Sequence, residues 1–314
     1  MRNALLETAA TPHVVGPFDL DNQAGYLKWR TTKLASRARC LADLIVDVGD
    51  PQALTPEEHT SLVERCAKWN MAVYRSATGA HGKDTASAIG RQLGLHRLHA
   101  NWLADEDGIS SITVGAGDHG SIVPYTNKPL KWHTDGYYHS QQQQIKAMLL
   151  HCERPAASGG ENRMLDHELA YIALRDASPR WALALMADDA MTIPGREDAT
   201  GMARPAQAGP VFSVDPQDGE LHMRYTARTR SIAWKQDPVT LKAASFLERL
   251  LVDDTANVIT LRLEPGMGIV ANNVLHDRSA FVDDPARPRL IYRARYLDRV
   301  ASPTGNAEAM WRNG

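Results

Sequence analysis

Cysteine is nearly missing from this chain. Three residues, Cys40, Cys66 and Cys152, are spread over 314 positions. An odd and widely spaced set excludes a disulfide framework and a cysteine-rich zinc module alike. No run approaches the ~18–20 apolar residues that cross a bilayer, and the polar start Met1-Arg2-Asn3 lacks the apolar core of a secretory signal. Neither charge is in excess. The 35 Lys+Arg and 37 Asp+Glu leave a formal net charge of −2, which removes the electrostatic case for nucleic acid or an anionic membrane as partner. The phosphate-cradling pattern GxxxxGK[ST] is absent. A soluble, cytoplasmic protein is expected, and the sequence leaves room for a homo-oligomer.

What is present is a 43% hydrophobic chain with ordinary Gly and Pro contents, long enough for one large catalytic domain. Its texture changes near residue 110. Before that point helix signals lead. Thr55-Pro56-Glu57-Glu58 is a capping box with Pro at the first helical position, opening a helix through about Cys66. Asn70 to Arg75 reads as a strand, and Asp84 or Thr85 caps a helix that Gly94 stops. From Ser110 onward short β-like runs dominate: Ile112 to Val114, Ile145 to Cys152, Val211 to Val214, Leu221 to Tyr225, Val258 to Leu263, Gly268 to Ala271 and Leu290 to Tyr296. Pro216 to Gly219 is a hairpin turn. Helices are expected over Asp166 to Arg175, Ser178 to about Met186, and Asp237 to about Val252. Many short strands with few, segregated helices predict a mainly β fold with flanking helices, a sandwich or jelly roll. Residues 1–314 form one expected catalytic domain, with 1–110 packed as a helix-rich part on a barrel of 111–314.

Chemistry gathers at Lys131-Trp132-His133-Thr134-Asp135-Gly136. In an extended strand residues i and i+2 share a face, so His133 and Asp135 can serve one metal ion. His276, just past an apolar strand, is the best third ligand. Two imidazoles and one carboxylate suit non-haem Fe(II) with open positions. Zinc is the alternative, with His139 or His151 completing a hydrolytic site. His167-Glu168 lacks the second helical His of a zinc protease.

The run Pro288 to Tyr296 alternates, placing Arg289, Ile291, Arg293 and Arg295 on one face. An outer strand with solvated arginines satisfies this pattern. So does a hairpin return beside the metal, where Arg289 can clamp a carboxylate through two parallel hydrogen bonds. 2-Oxoglutarate has the shape to rest one end on Arg289 and chelate iron with the other. If His222 to Arg230 is extended, Arg224, Thr226, Arg228 and Arg230 likewise share a face.

These residues together resemble the taurine dioxygenase superfamily of Fe(II)/2-oxoglutarate-dependent oxygenases, closest to its γ-butyrobetaine and trimethyllysine hydroxylase branch. The resemblance spans about Tyr125 to Tyr296. It covers Tyr125-Thr126, His133-Thr134-Asp135, Leu150-His151-Cys152, Gly159-Gly160-Glu161-Asn162, Asp166, Thr229-Arg230, Asn273, Leu275-His276-Asp277-Arg278 and Arg289. It implies a double-stranded β-helix core, His133, Asp135 and His276 as iron ligands, and Arg289 on the distal carboxylate of 2-oxoglutarate. Asn162 stands where relatives carry a Thr or Ser that bonds this cosubstrate, and Arg278 lies just behind the ligand His276. The implied reaction consumes O2 and 2-oxoglutarate, hydroxylates an unactivated C–H of a small molecule, and releases succinate and CO2. Tyr125 matches one wall of the trimethylammonium cage, or else is a packed core tyrosine. Arg295 replaces another cage tyrosine, and no N-terminal zinc cluster is present. With Arg224, Arg293 and Arg295 on the wall, the expected substrate is an anion, a carboxylate first. Gln141 to Gln144 is expected to cover the site. A non-catalytic metal and 2-oxoglutarate sensor, or a zinc hydrolase on a similar barrel, are the competing readings.

Overall fold

A computed structural model describes residues 16–76, 78–79, 82–99, 105, 107–115, 123–198, 201–228 and 232–300. The chain opens with α1 (Gln23–Ser36), α2 (Leu41–Leu44), β1 (Ile45–Val48), α3 (Pro56–Trp69), β2 (Met71–Ser76) and α4 (Lys83–Gln92). It continues through β3 (Ser110–Ile112), β4 (Leu130–His133), β5 (Ala147–Arg154), β6 (Ser158–Gly159) and β7 (Asn162–Leu165) into α5 (His167–Ala177) and α6 (Pro179–Leu185). Short strands follow: β8 (Met191–Ile193), β9 (Arg196–Asp198), β10 (Gly201–Arg204), β11 (Gln207–Gly209), β12 (Phe212–Val214), β13 (Leu221–Met223) and β14 (Ala233–Trp234). After α7 (Pro238–Asp253) come β15 (Ile259–Leu261), β16 (Met267–Ala271), β17 (Leu275–Arg278), β18 (Phe281–Val282) and β19 (Leu290–Tyr296). None of the described helices is long and apolar enough to cross a membrane.

Two sheets face one another in a jelly-roll core. The larger runs β1-β2-β16-β5-β19-β3 and the smaller β15-β7-β17-β4. Among the described strands only β1 and β2 pair in parallel. Alternation along β5 sorts its side chains: Met148, Leu150 and Cys152 join the interior, with Met164 of the opposite sheet and Ile269 and Ile291 of its own, whereas Leu149 faces outward with Val270 and Ala294 under α3 and α4. The outer face of the smaller sheet, Trp132, Leu165 and Leu275, is covered by α5, α6 and α7. Each sheet therefore hides one face against helices and the other against its partner sheet, as a two-layer core requires.

Local signals were read in the right places. Thr55 and Glu58 form the reciprocal cap of α3, Asp166 caps α5, Asp237 caps α7, and β12 and β13 form the expected hairpin. Three expectations need correction. The cap expected at Asp84 or Thr85 lies two or three residues earlier, at Gly82 with φ +73. The strand expected to run to Tyr225 and beyond stops at Met223, after which Thr226 makes an isolated bridge to His133; Thr229 and Arg230 lie outside the described residues. Finally, β19 is no hairpin neighbour of β17. It crosses to the facing sheet, between β5 and β3, because both edges of β17 are already taken by β7 and β4.

Candidate metal centre

His133 and His276 are direct cross-strand partners on β4 and β17, which sets their rings side by side with centroids 4.2 Å apart. Asp135 lies two residues past His133, beyond the strand end. Its backbone is clamped by one side chain: Asp135 N–H donates to Asn273 Oδ1 at 2.7 Å, and Asn273 Nδ2 donates back to the Asp135 carbonyl at 2.9 Å and to the Ile145 carbonyl at 2.6 Å. Asn273 holds a left-handed backbone, φ +52, which asparagine tolerates better than most residues. The result is one buried cluster whose ligand atoms all lie within 4.8 Å of one another.

The protonation of this cluster suits a divalent cation. His133 Nδ1 is 2.9 Å from the Lys131 carbonyl and His276 Nδ1 2.9 Å from the Val274 carbonyl. A carbonyl only accepts, so each Nδ1 carries the hydrogen and each Nε2 presents its lone pair. Burial, then the neighbouring His276, hold the His133 imidazole down to about 3. Burial alone would raise the Asp135 carboxyl, but the Arg293 and Arg295 guanidiniums outweigh it and hold the group well below the usual carboxylate range. Asp135 Oδ2 is buried without a hydrogen-bond partner. Two imidazoles whose Nδ1 atoms are committed to carbonyls, an ionised carboxylate and an orphaned oxygen fit a metal ion held by two nitrogens and one oxygen with positions left open.

Beside the cluster the arginines divide. Arg289 is buried, lies over the Phe281 ring at 5.2 Å, and burial pulls it down to about 10; its guanidinium has no carboxylate partner among the described residues. Asn162, across from Arg278 on the neighbouring strand, has a buried Nδ2 with no partner. Arg293 Nη1 stands 3.6 Å from Asp135 Oδ1, and its Nε is orphaned. Arg295 Nη1 donates to the Tyr138 hydroxyl at 3.0 Å while its Nη2 is orphaned. With exposures of 6%, 8% and 4% for Arg289, Arg293 and Arg295, the solvated-strand alternative fails.

Arg224 does not belong to this wall. Its Nε donates to the Pro210 carbonyl, Nη1 to Tyr137 and Gln207, and Nη2 to Met191 and Gly209. All five N–H groups are spent on backbone carbonyls, so none is left for a substrate anion. Arg278 similarly donates to the carbonyls of Pro124, Thr126 and Lys128, bracing the segment that carries Tyr125. Tyr125 itself packs into the interior apolar cluster. The zinc alternative loses both extra histidines. His151 points to the outer face, where its Nδ1 meets the Tyr74 hydroxyl at 2.8 Å, and His139 stands outside the three-ligand group, against His99 at 4.3 Å. Sequence reasoning missed Asn273 as the Asp135 clamp, and His99 and Tyr138 altogether. The Asn272-Asn273 pair just ahead of His276 was the available signal for the clamp; the other two carried none.

A jelly roll with two imidazoles and one carboxylate on its inner face has the layout of a mononuclear non-haem iron protein. The chain belongs to the taurine catabolism dioxygenase TauD, TfdA family, which matches residues 32–295. It is thus a dioxygenase that depends on Fe(II), 2-oxoglutarate and O2. Among curated relatives, a uridine-5'-phosphate dioxygenase from Streptomyces sp is 31% identical over 268 residues, 80% of this chain and 93% of that protein. Another of the same name from Amycolatopsis sp is 33% identical over 177 residues, 53% of this chain and 60% of that protein. The fold is shared with the non-heme iron oxygenase OrfP solved with Fe and alpha-ketoglutaric acid (TM-score 0.57, 16% identity, 91% and 92% of the chains). It is shared too with an asparagine oxygenase solved with Fe(II), hydroxyasparagine and succinate (TM-score 0.51, 16% identity, 87% and 89%).

Proposed function

We propose that this dioxygenase oxidises a C–H bond of a small phosphate ester, a nucleoside 5'-monophosphate such as uridine-5'-phosphate being the favoured substrate. The observation that carries the reading is the pair Arg293 and Arg295. Both are buried against the metal-binding carboxylate, and both keep N–H donors unused. Each guanidinium has one orphaned nitrogen beyond its contact with Asp135 or Tyr138, and an anion that takes up these donors removes the cost of leaving them desolvated and unpaired. The names of the curated relatives supply the chemical class. A trimethylammonium beside Arg295 would be repelled, which together with those names speaks against the γ-butyrobetaine and trimethyllysine branch.

In this reading His133, Asp135 and His276 hold Fe(II), Asn273 fixes the direction of Asp135, and Arg289 with Asn162 receives 2-oxoglutarate. The bound iron and keto acid supply the oxidising chemistry, with succinate and CO2 as by-products. The chain's own work is to aim. Arg293 and Arg295 anchor the substrate's anionic end so that one C–H faces the metal, and α5 to α7 close the back of the smaller sheet against water. The whole chain acts as one catalytic unit, its first 110 residues bracing the larger sheet through α3, α4, β1 and β2. Free thiols at Cys40, Cys66 and Cys152 suit a cytoplasmic setting. The test is succinate release with iron and ascorbate across uridine-5'-phosphate, uridine, amino acids, sulfonates and betaines. Release driven by the nucleotide well above the substrate-free rate is expected; a betaine or an uncharged nucleoside outperforming it would overturn the reading.

A further inference from the structure

The strongest unexplained feature lies within electrostatic reach of Asp135. His99 and His139 stand ring to ring, centroids 4.3 Å apart and tilted by 56°, and each leaves one buried nitrogen without a partner, His99 Nδ1 and His139 Nε2. Nothing in the assignment of metal, cosubstrate or guanidinium anchors uses them. Both are placed by specific backbone. The His99 N–H donates to the Arg295 carbonyl at 2.8 Å, beside a bridge between Leu98 and Tyr296, so His99 is tied to the strand that carries the arginine. His139 is brought back by a tight turn after Asp135: its N–H donates to the Gly136 carbonyl at 2.8 Å, and Gly136 has φ +69. A Cβ there would lie 2.4 Å from Ile145 Cγ1 and 2.9 Å from His139 Cδ2, so the turn tolerates only glycine. Tyr138 connects the two sides, its ring 4.5 Å from His139 and its hydroxyl on Arg295.

We propose that His99 and His139 form the phosphate-recognising pair of this site, donating from His99 Nδ1 and His139 Nε2 to a phosphate monoester that also rests on Arg295. The proposal depends on the phosphate-ester reading above. A planar carboxylate is filled by two donors in one plane, whereas a terminal phosphate offers three oxygens in tetrahedral array and needs donors from separate directions. Three orphaned donors from three segments, the stretch before residue 100, the turn after Asp135 and β19, meet that requirement. Burial, then the charges of His99, Arg295 and Arg204, hold His139 down to about 4. The imidazole is therefore a neutral donor at pH 7, and the positive charge of the subsite belongs to the arginine.

The experiment uses the anaerobic Fe(II)–2-oxoglutarate enzyme. Uridine-5'-phosphate is titrated by calorimetry and inorganic phosphate by 31P NMR, with wild type, His99→Ala, His139→Ala and His139→Gln. The Ala variants should weaken both probes about tenfold or more while the affinity for 2-oxoglutarate holds. The Gln variant, whose amide nitrogen reaches close to the imidazole Nε2 position, should recover most of the loss, which a packing role for the ring would not allow. Ala variants within twofold of wild type for both probes overturn the pair and leave the substrate reading standing. A wild type that ignores the nucleotide yet binds inorganic phosphate through these histidines overturns the substrate reading and keeps the pair. A wild type that binds neither overturns both.

Discussion

Arg224, just past β13, and Arg289, at the start of β19, are alike by every coarse measure. They are 4% and 6% exposed, and burial pulls each guanidinium down to about 10. Their surroundings differ completely. Arg224 donates all five N–H groups to the carbonyls of Met191 in β8, of Gln207 and Gly209 in β11, of Pro210 and of Tyr137. The Arg289 guanidinium lies over a phenyl ring with no charged partner among the described residues. The first arginine acts as a rivet between β8, β11 and the segment of Tyr137; the second, with no such partner among the described residues, is the proposed receptor for the cosubstrate. Burial of a charge therefore does not mark a functional residue. What separates these two is how many of the guanidinium's donors the chain's own carbonyls take up.

This contrast can be broken by substitution. The largest effect is expected from Arg289→Ala, which should raise the KM for 2-oxoglutarate by about 100-fold, the loss of a charge-assisted bidentate contact, with little change in Tm. A KM within threefold of wild type, in steady-state succinate release, would place the cosubstrate elsewhere. Next comes Arg224→Ala. Five carbonyls, three buried and two half-buried, lose their donor together, and at about 1–3 kcal/mol for each buried group left unsatisfied even partial relaxation leaves a loss of about 3 kcal/mol or more. Calorimetry should show Tm falling by about 4 °C or more, while the KM for 2-oxoglutarate in the surviving fold stays near wild type. A Tm unchanged by this substitution would erase the distinction between rivet and receptor.

The mildest test uses acid. Burial first, with neighbouring charges second, holds His133 and His222 at about 3 and His139 at about 4, against about 6.5 for an unfolded imidazole. Between those limits the unfolded chain binds protons that the folded one refuses, so stability falls as pH drops through the window and is fully present above about 6.5. Guanidiniums stay charged throughout and contribute nothing to the slope. The metal-free protein should therefore lose Tm steadily from pH 7 to 4.5, and His222→Asn should flatten that slope. A flat profile in the wild type would contradict the burial of these imidazoles.

Much of the site was legible before any coordinates. His133 and Asp135 could be paired from the two-residue period of a strand, and Arg289, Arg293 and Arg295 from the alternation of the run that contains them. Those patterns are local, and local geometry enforces them. Which face looked inward was not local. The solvated and buried versions of β19 have the same alternation, and the choice followed from its place in the larger sheet beside β5, where Leu150 and Met148 lie across from Arg293 and Arg295 and point into the interior. The same limit explains the misreading of Arg224. An arginine in an extended pattern has five donors whatever its position, and only the folded chain around it decides whether carbonyls consume them.

The amino-acid sequence by itself determined the strands β2, β5, β12, β15, β16 and β19, the caps of α3, α5 and α7, and the residue types of the candidate metal-binding set, because hydrophobic period, capping and side-chain chemistry reside in residues a few positions apart. Tertiary structure alone decided that His276 would stand beside His133, that Asn273 would lock Asp135, and that His99 would meet His139. These meetings join segments 40 to more than 130 residues apart. They depend on sheet register and on which face is hidden from water, and no short stretch of chain contains that information.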